Sequence, residues 1–120
     1  MKEFLLVSAG SFVGGGLRFL TAKMLGNVLA STFPWGTFAV NIAGCFLIGL
    51  FTSLSIDGHL STNMKLLLAT GFCGGFTTFS TFINENYILS HDGSITTAVL
   101  YTLASVALGM LALIAGYKSC

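Results

Sequence analysis

Residues 71–82 read Gly71-Phe72-Cys73-Gly74-Gly75-Phe76-Thr77-Thr78-Phe79-Ser80-Thr81-Phe82: glycines, hydroxyls and phenylalanines interleaved inside a stretch otherwise apolar enough to cross a bilayer. Lipid offers no hydrogen-bond partners. Backbone can therefore leave helical geometry at membrane depth only where protein or a cavity takes up the freed amides and carbonyls. The run predicts an interrupted membrane helix and marks a candidate ion site.

The rest of the chain supplies the setting. With 54% hydrophobic and 8% charged residues and a mean hydropathy of +0.89, the 120 residues carry too little polar surface for a water-soluble globule. A spanning helix needs about 20 apolar residues. Four such stretches fit with short gaps, at residues 4–25, 35–55, 64–89 (interrupted) and 94–117. The fold class is an all-α membrane protein, and residues 1–120 form a single transmembrane domain with no room for a soluble catalytic module. A net charge of +1 gives no electrostatic pull on nucleic acid. The Met1-Lys2-Glu3 start resembles a signal peptide, but its apolar stretch carries Arg18 and merges into Lys23, which points to a retained first helix. Cys45, Cys73 and Cys120 lack metal-ligand spacing; Cys45 and Cys73 read as small packing residues and Cys120 as an ordinary terminal one. His59 and His91, beside Asp57 and Asp92, read as loop residues.

Four spans put Lys2, Lys65 and Lys118 on one side of the membrane and Arg18 and Lys23 on the other. The positive-inside rule needs a clear Lys/Arg excess on one face. Two outcomes follow from so thin a bias: a weakly biased single orientation, or insertion both ways. In the second case a four-helix chain could pair with an inverted copy about a two-fold axis in the membrane plane.

On the second span Thr37, Asn41 and Gly44 share a helical stripe. An intramembrane amide such as Asn41 either bonds to a neighbouring helix or lines water, since facing lipid would leave it unpaired. Gly44 and Gly49 suit close helix packing, Pro34 a helix start and Trp35 the membrane interface. Phe79 and Phe82, three apart, present their rings on one face once helix resumes. Phenylalanines at that spacing serve as packing, or their positive edges offer an anion weak, poorly hydrated contacts. Asn84 and Glu85 read as a polar end of the span. Arg18, about 21 Å along a helix from Phe4, reaches the far interface, as an anchor or as a vestibule charge.

Gly14-Gly15-Gly16-Leu17-Arg18, the stretch Gly36-Thr37-Phe38-Ala39-Val40-Asn41-Ile42-Ala43-Gly44 and the run at 71–82, in that order, strongly resemble the Fluc (CrcB) family of fluoride ion channels across essentially the whole sequence. The resemblance implies a passive, fluoride-selective anion channel exporting cytoplasmic fluoride. It also implies an antiparallel, dual-topology homodimer in the cell inner (plasma) membrane, and a structural sodium ion at the dimer centre. By position, Phe79 and Phe82 match the fluoride-lining phenylalanine pair and Asn41 the pore amide. Ser80 and Thr81 match hydroxyls of a polar track, Thr37 and Glu85 vestibule-side groups, Tyr101 and Ser105 pore-flanking groups of the fourth helix, and Arg18 the vestibule arginine. Gly74 and Thr77 match the positions whose backbone carbonyls hold sodium. Ile83 stands where several relatives carry a hydroxyl and Gly109 where a serine is often found, so the polar track is thinner here.

Two other function classes share part of this pattern. A proton-coupled multidrug transporter is also a small dual-topology four-helix dimer, but it needs a titratable intramembrane carboxylate, and the first span has none after Glu3. A non-conducting scaffold would have no use for paired aromatics and an amide on an interrupted helix. No nucleophile, base and metal-ligand set converges, so an enzyme is the weakest reading.

Overall fold

The computed structural model describes residues 1–28 and 33–119, and among them every regular element is helical. Helix α1 covers Lys2–Val28 and α2 covers Trp35–Ile56, with Pro34 at the N-cap of α2. After a turn in which Gly58 takes φ +80°, Ser61 caps α3, Thr62–Lys65, by accepting from the Met64 amide. The chain continues through a π-helical segment, Leu66–Cys73, into a single α turn, α4, Gly74–Phe76. Thr77 then adopts extended geometry (φ −91°, ψ 160°), and α5 runs over Ser80–His91. Gly93, at φ +86°, makes the turn into α6, Ile95–Lys118.

Four stretches are long and apolar enough to cross a membrane: Lys2–Asn27, Trp35–Ile56, Thr62–His91 and Ile95–Lys118. They agree within a few residues with the spans read from hydropathy, because about 20 apolar residues is a requirement set by bilayer thickness rather than by packing. Large side chains such as Phe12, Phe19, Leu103 and Leu111 stay exposed on the protomer, as befits helices whose solvent is lipid.

The spans pack as two pairs. Helices α2 and α6 meet where Gly49 lies against the Leu113 backbone and Gly116 against that of Phe46, contacts that leave no room for a Cβ. Helix α1 meets the π segment and α4 through four glycines. A Cβ on Gly10 would collide with the Leu67 carbonyl and one on Gly14 with that of Phe72. From the other side, a Cβ on Gly71 would lie 2.8 Å from the Val7 carbonyl and one on Gly75 2.6 Å from that of Ser11. Small residues are what allow backbones to approach this closely where no hydrophobic drive separates lipid from protein. Of the glycines in the third span, Gly71 and Gly75 thus serve packing, whereas a Cβ on Gly74 would meet nothing within 4 Å; Gly74 itself is helical (φ −62°, ψ −38°), and the departure from helix comes just after, at residues 77–79.

Candidate functional site

Asn41 projects from α2 onto this departure and binds one residue at both ends. Its Oδ1 accepts from the Thr78 amide at 2.8 Å and its Nδ2 donates to the Thr78 carbonyl at 3.0 Å. An amide carries two N–H donors, so one remains for a further partner. Beside it Gly44 makes room for Thr77, whose Cγ2 occupies the place a Gly44 side chain would take. Thr77 Oγ1 and N–H both turn back to the Cys73 carbonyl, at 2.8 and 3.0 Å.

In an unbroken helix the amides of Thr78 and Thr81 would bond to the carbonyls of Gly74 and Thr77. Here the Thr78 amide goes to Asn41 and the Thr81 amide to Thr78 Oγ1 at 3.3 Å, which starts α5 as a threonine cap does. The Gly74 and Thr77 carbonyls therefore give up those donors. The neighbouring carbonyls are met by side chains: Gly75 accepts from Arg18 Nε at 3.0 Å and Gly71 from Ser11 Oγ at 3.1 Å, both from α1. Ser11, Gly14 and Arg18 lie on one face of α1, at i, i+3 and i+7.

Two cavities flank α5. One, of about 390 Å³, is lined by Asn41, Thr77, Thr78, Phe79, Phe82 and Ser105, with Cys45, Cys73 and Gly74 also in its wall. The other, of about 320 Å³, lies at the start of α2 and is lined by Trp35, Gly36, Thr37, Glu85, Ile88 and Leu89 together with Phe33. Glu85 is held from two helices: Thr37 Oγ1 donates to Oε2 at 2.8 Å and Tyr101 OH to Oε1 at 2.9 Å. Such charge-assisted bonds keep a half-buried carboxylate solvated by protein. Tyr101 is fully buried, and its ring lies 4.9 Å from that of Phe82, between the residues that line the two cavities. The register is regular. Thr37 and Asn41 are one turn apart on α2, Phe82 and Glu85 on α5, Tyr101 and Ser105 on α6.

The residues singled out from sequence are thus distributed. Asn41, Phe79, Phe82 and Ser105 share the larger cavity, Thr37 and Glu85 the smaller, and Tyr101 stands between. Ser80, Thr81 and Arg18 line neither. The two phenylalanines are 6.2 Å apart but differ in setting: Phe82 is 9% exposed and Phe79 75%. Among the described residues Ser105 Oγ is the only buried side-chain polar atom with no partner, and it belongs to the larger cavity. Thr78, one of the hydroxyls around the phenylalanines, is the residue that Asn41 binds; Ser11 and the pair Asn86–Thr102, joined at 2.9 Å between α5 and α6, stand outside the residues read from sequence. Hydroxyls and an amide inside apolar spans were the available signal.

Residues 5–117 match the family model described as "CrcB-like protein, Camphor Resistance (CrcB)". A protein of Chlorobium phaeobacteroides named fluoride-specific ion channel FluC is 52% identical over 115 residues, 95% of this chain and 89% of the relative. Proteins of the same name are 44% identical in Phocaeicola vulgatus, over 97% of this chain and 96% of the relative, and 42% identical in Azobacteroides pseudotrichonymphae, over 98% and 94%.

Proposed function

The chain belongs to the CrcB family, a family of membrane channels and not of enzymes, and from that premise we propose that it is a passive, fluoride-selective channel exporting cytoplasmic fluoride. The observation that supports this reading best is the succession along α2, α5 and α6: a cavity at Thr37 and Glu85, the Phe82–Tyr101 contact, then a cavity at Asn41, Phe79 and Ser105. Fluoride holds its water tightly, so a path must replace that water without binding the ion firmly enough to trap it. The spare N–H of Asn41, the Ser105 hydroxyl and the positive edges of Phe79 and Phe82 are donors of that graded kind. Glu85 competes for the Thr37 and Tyr101 protons that an entering anion would take, which weakens capture and favours release.

The working unit in this reading is an antiparallel homodimer in the inner membrane. The near balance of Lys2, Lys65 and Lys118 against Arg18 and Lys23 supports it. So does Phe79, an aromatic of the larger cavity that the protomer leaves three-quarters exposed. The Gly74 and Thr77 carbonyls, deprived of helical donors, would hold a structural sodium ion. Uncharged oxygens suit a hard monovalent cation, and no group of three or more His, Cys, Asp or Glu side chains positioned for a metal occurs among the described residues. A bound sodium would supply fixed positive charge beside the path.

Liposomes reconstituted with the protein and read by fluoride and chloride electrodes test the function. Fluoride efflux with a permeable counter-ion, no chloride efflux and no proton stoichiometry are expected. Equal chloride flux, or transport that requires a proton gradient, would overturn it. Phe79→Ile, at an exposed ring, is expected to lower fluoride flux at least about tenfold while leaving assembly intact, because it removes the ring edge and keeps the bulk.

A further inference from the structure

We propose that Cys45 and Cys73 form a soft-metal site in the wall of the larger cavity, and that a thiophilic cation seated there blocks the ion path; the second half rests on the function proposed above. Both thiols are free and line the same cavity of about 390 Å³. Cys45 lies one helical turn beyond Asn41 on α2. Cys73 ends the π segment, and its carbonyl anchors Thr77. The facing residue of α6 is Gly109, and the Cys45 sulfur lies close against it: an added Cβ there would sit 3.3 Å from Sγ. One turn earlier on α6 stands Ser105, whose buried Oγ has no partner and offers a third, oxygen donor.

Nothing in the conduction chemistry uses these sulfurs. Fluoride is a hard anion with no affinity for a thiol, whereas Hg²⁺ and Ag⁺ select soft thiolate ligands over amides and hydroxyls. Binding of Hg²⁺ breaks two S–H bonds, forms two Hg–S bonds and releases two protons, with no change of oxidation state. A metal held there would share the cavity with Asn41, Phe79 and Phe82 and leave no clear route past them.

The test uses the full-length protein with Cys120→Ser, which removes the third thiol. After exposure to mercuric chloride and removal of the excess, native mass spectrometry is expected to show about one Hg²⁺ per chain, and fluoride efflux to fall at least about tenfold, with recovery in excess dithiothreitol. With either Cys45→Ala or Cys73→Ala in that background, mercury is expected to be held by one thiolate with chloride still bound and one proton lost instead of two, a mass difference the same measurement reads, and replacing both cysteines is expected to abolish retention and block. Cys45 is only half-buried, so Cys45→Ala decides the matter should Cys73→Ala assemble poorly. Equal mercury retention in the cysteine-free protein, or chloride still bound to the mercury when both cysteines are present, would overturn the site, and mercury retained by both thiols with unchanged flux, or equal block without the cysteines, would overturn the block. Absence of fluoride flux before any mercury is added would count against the channel reading alone, since the mass measurement still reads the metal.

Discussion

The two halves of the third span are held in opposite ways. Its first half, the π segment and α4, is joined to α1 backbone to backbone: four glycines strip away side chains, and Ser11 and Arg18 reach over to carbonyls. Its second half, α5, is joined to α2 and α6 almost wholly through side chains: Thr37 and Tyr101 on Glu85, Asn86 on Thr102, Phe82 on Tyr101. Between them Thr77 is extended, and Asn41 fastens the seam. The first kind of contact fixes distance and admits almost no substitution. The second leaves cavities and groups that can exchange partners. Rigidity on one side of the seam and adjustable polarity on the other suit a path that must keep its shape while passing an ion.

The largest expected effect lies on the rigid side. Gly14→Ala places a Cβ against the Phe72 carbonyl and 2.9 Å from the Phe76 amide, atoms that cannot turn away. Overpacking of about 3 kcal/mol, the upper end of the usual range, is expected, read as loss of monodisperse protein in detergent. Gly16→Ala, two residues on, meets nothing within 4 Å and is expected to behave as the unmodified protein. If both tolerate alanine equally, the backbone-to-backbone description of this half fails.

At the seam, Asn41→Asp keeps the acceptor for the Thr78 amide but sets a carboxylate oxygen against the Thr78 carbonyl. A cost of about 2 kcal/mol is expected from a lost bond and an unsatisfied acceptor, with fluoride flux falling further than stability. Flux and thermal stability falling strictly in parallel would make Asn41 a structural clamp only.

The phenylalanines sharpen the comparison within α5. Phe82→Ile, at a ring packed on Tyr101, is expected to cost about 1 kcal/mol and to lower flux, whereas Phe79→Ile should lower flux with little change in stability. Thermal unfolding followed beside the flux assay separates the two. The smallest effect is assigned to Thr102→Val, which removes one interhelical bond to Asn86 and should cost about 0.6 kcal/mol, with flux unaltered.

Much of this was legible in the residues. Four spans follow from runs of apolar residues, because the bilayer sets one length for every helix that crosses it. Asn41, Thr37, Phe79 and Phe82 stand out because polar or clustered aromatic groups inside such runs have few uses. Hydropathy could not distinguish the glycines that press on a neighbouring backbone from those that face open space. Gly14 and Gly16 look alike in sequence and differ entirely in surroundings.

What the sequence determined by itself is the membrane class, the count of spans and the identity of the polar groups within them, since each follows from transfer of local chemistry between water and lipid. What only the tertiary structure decided is which group meets which. Arg18 ends on the Gly75 carbonyl instead of in a cavity, Glu85 is shared by Thr37 and Tyr101, and both ends of the Asn41 amide go to one residue 37 positions away. The reason is physical. Hydrogen-bond pairing at membrane depth depends on the crossing and register of helices distant in sequence, and that register is set by small-residue contacts, which carry no periodic signal of their own.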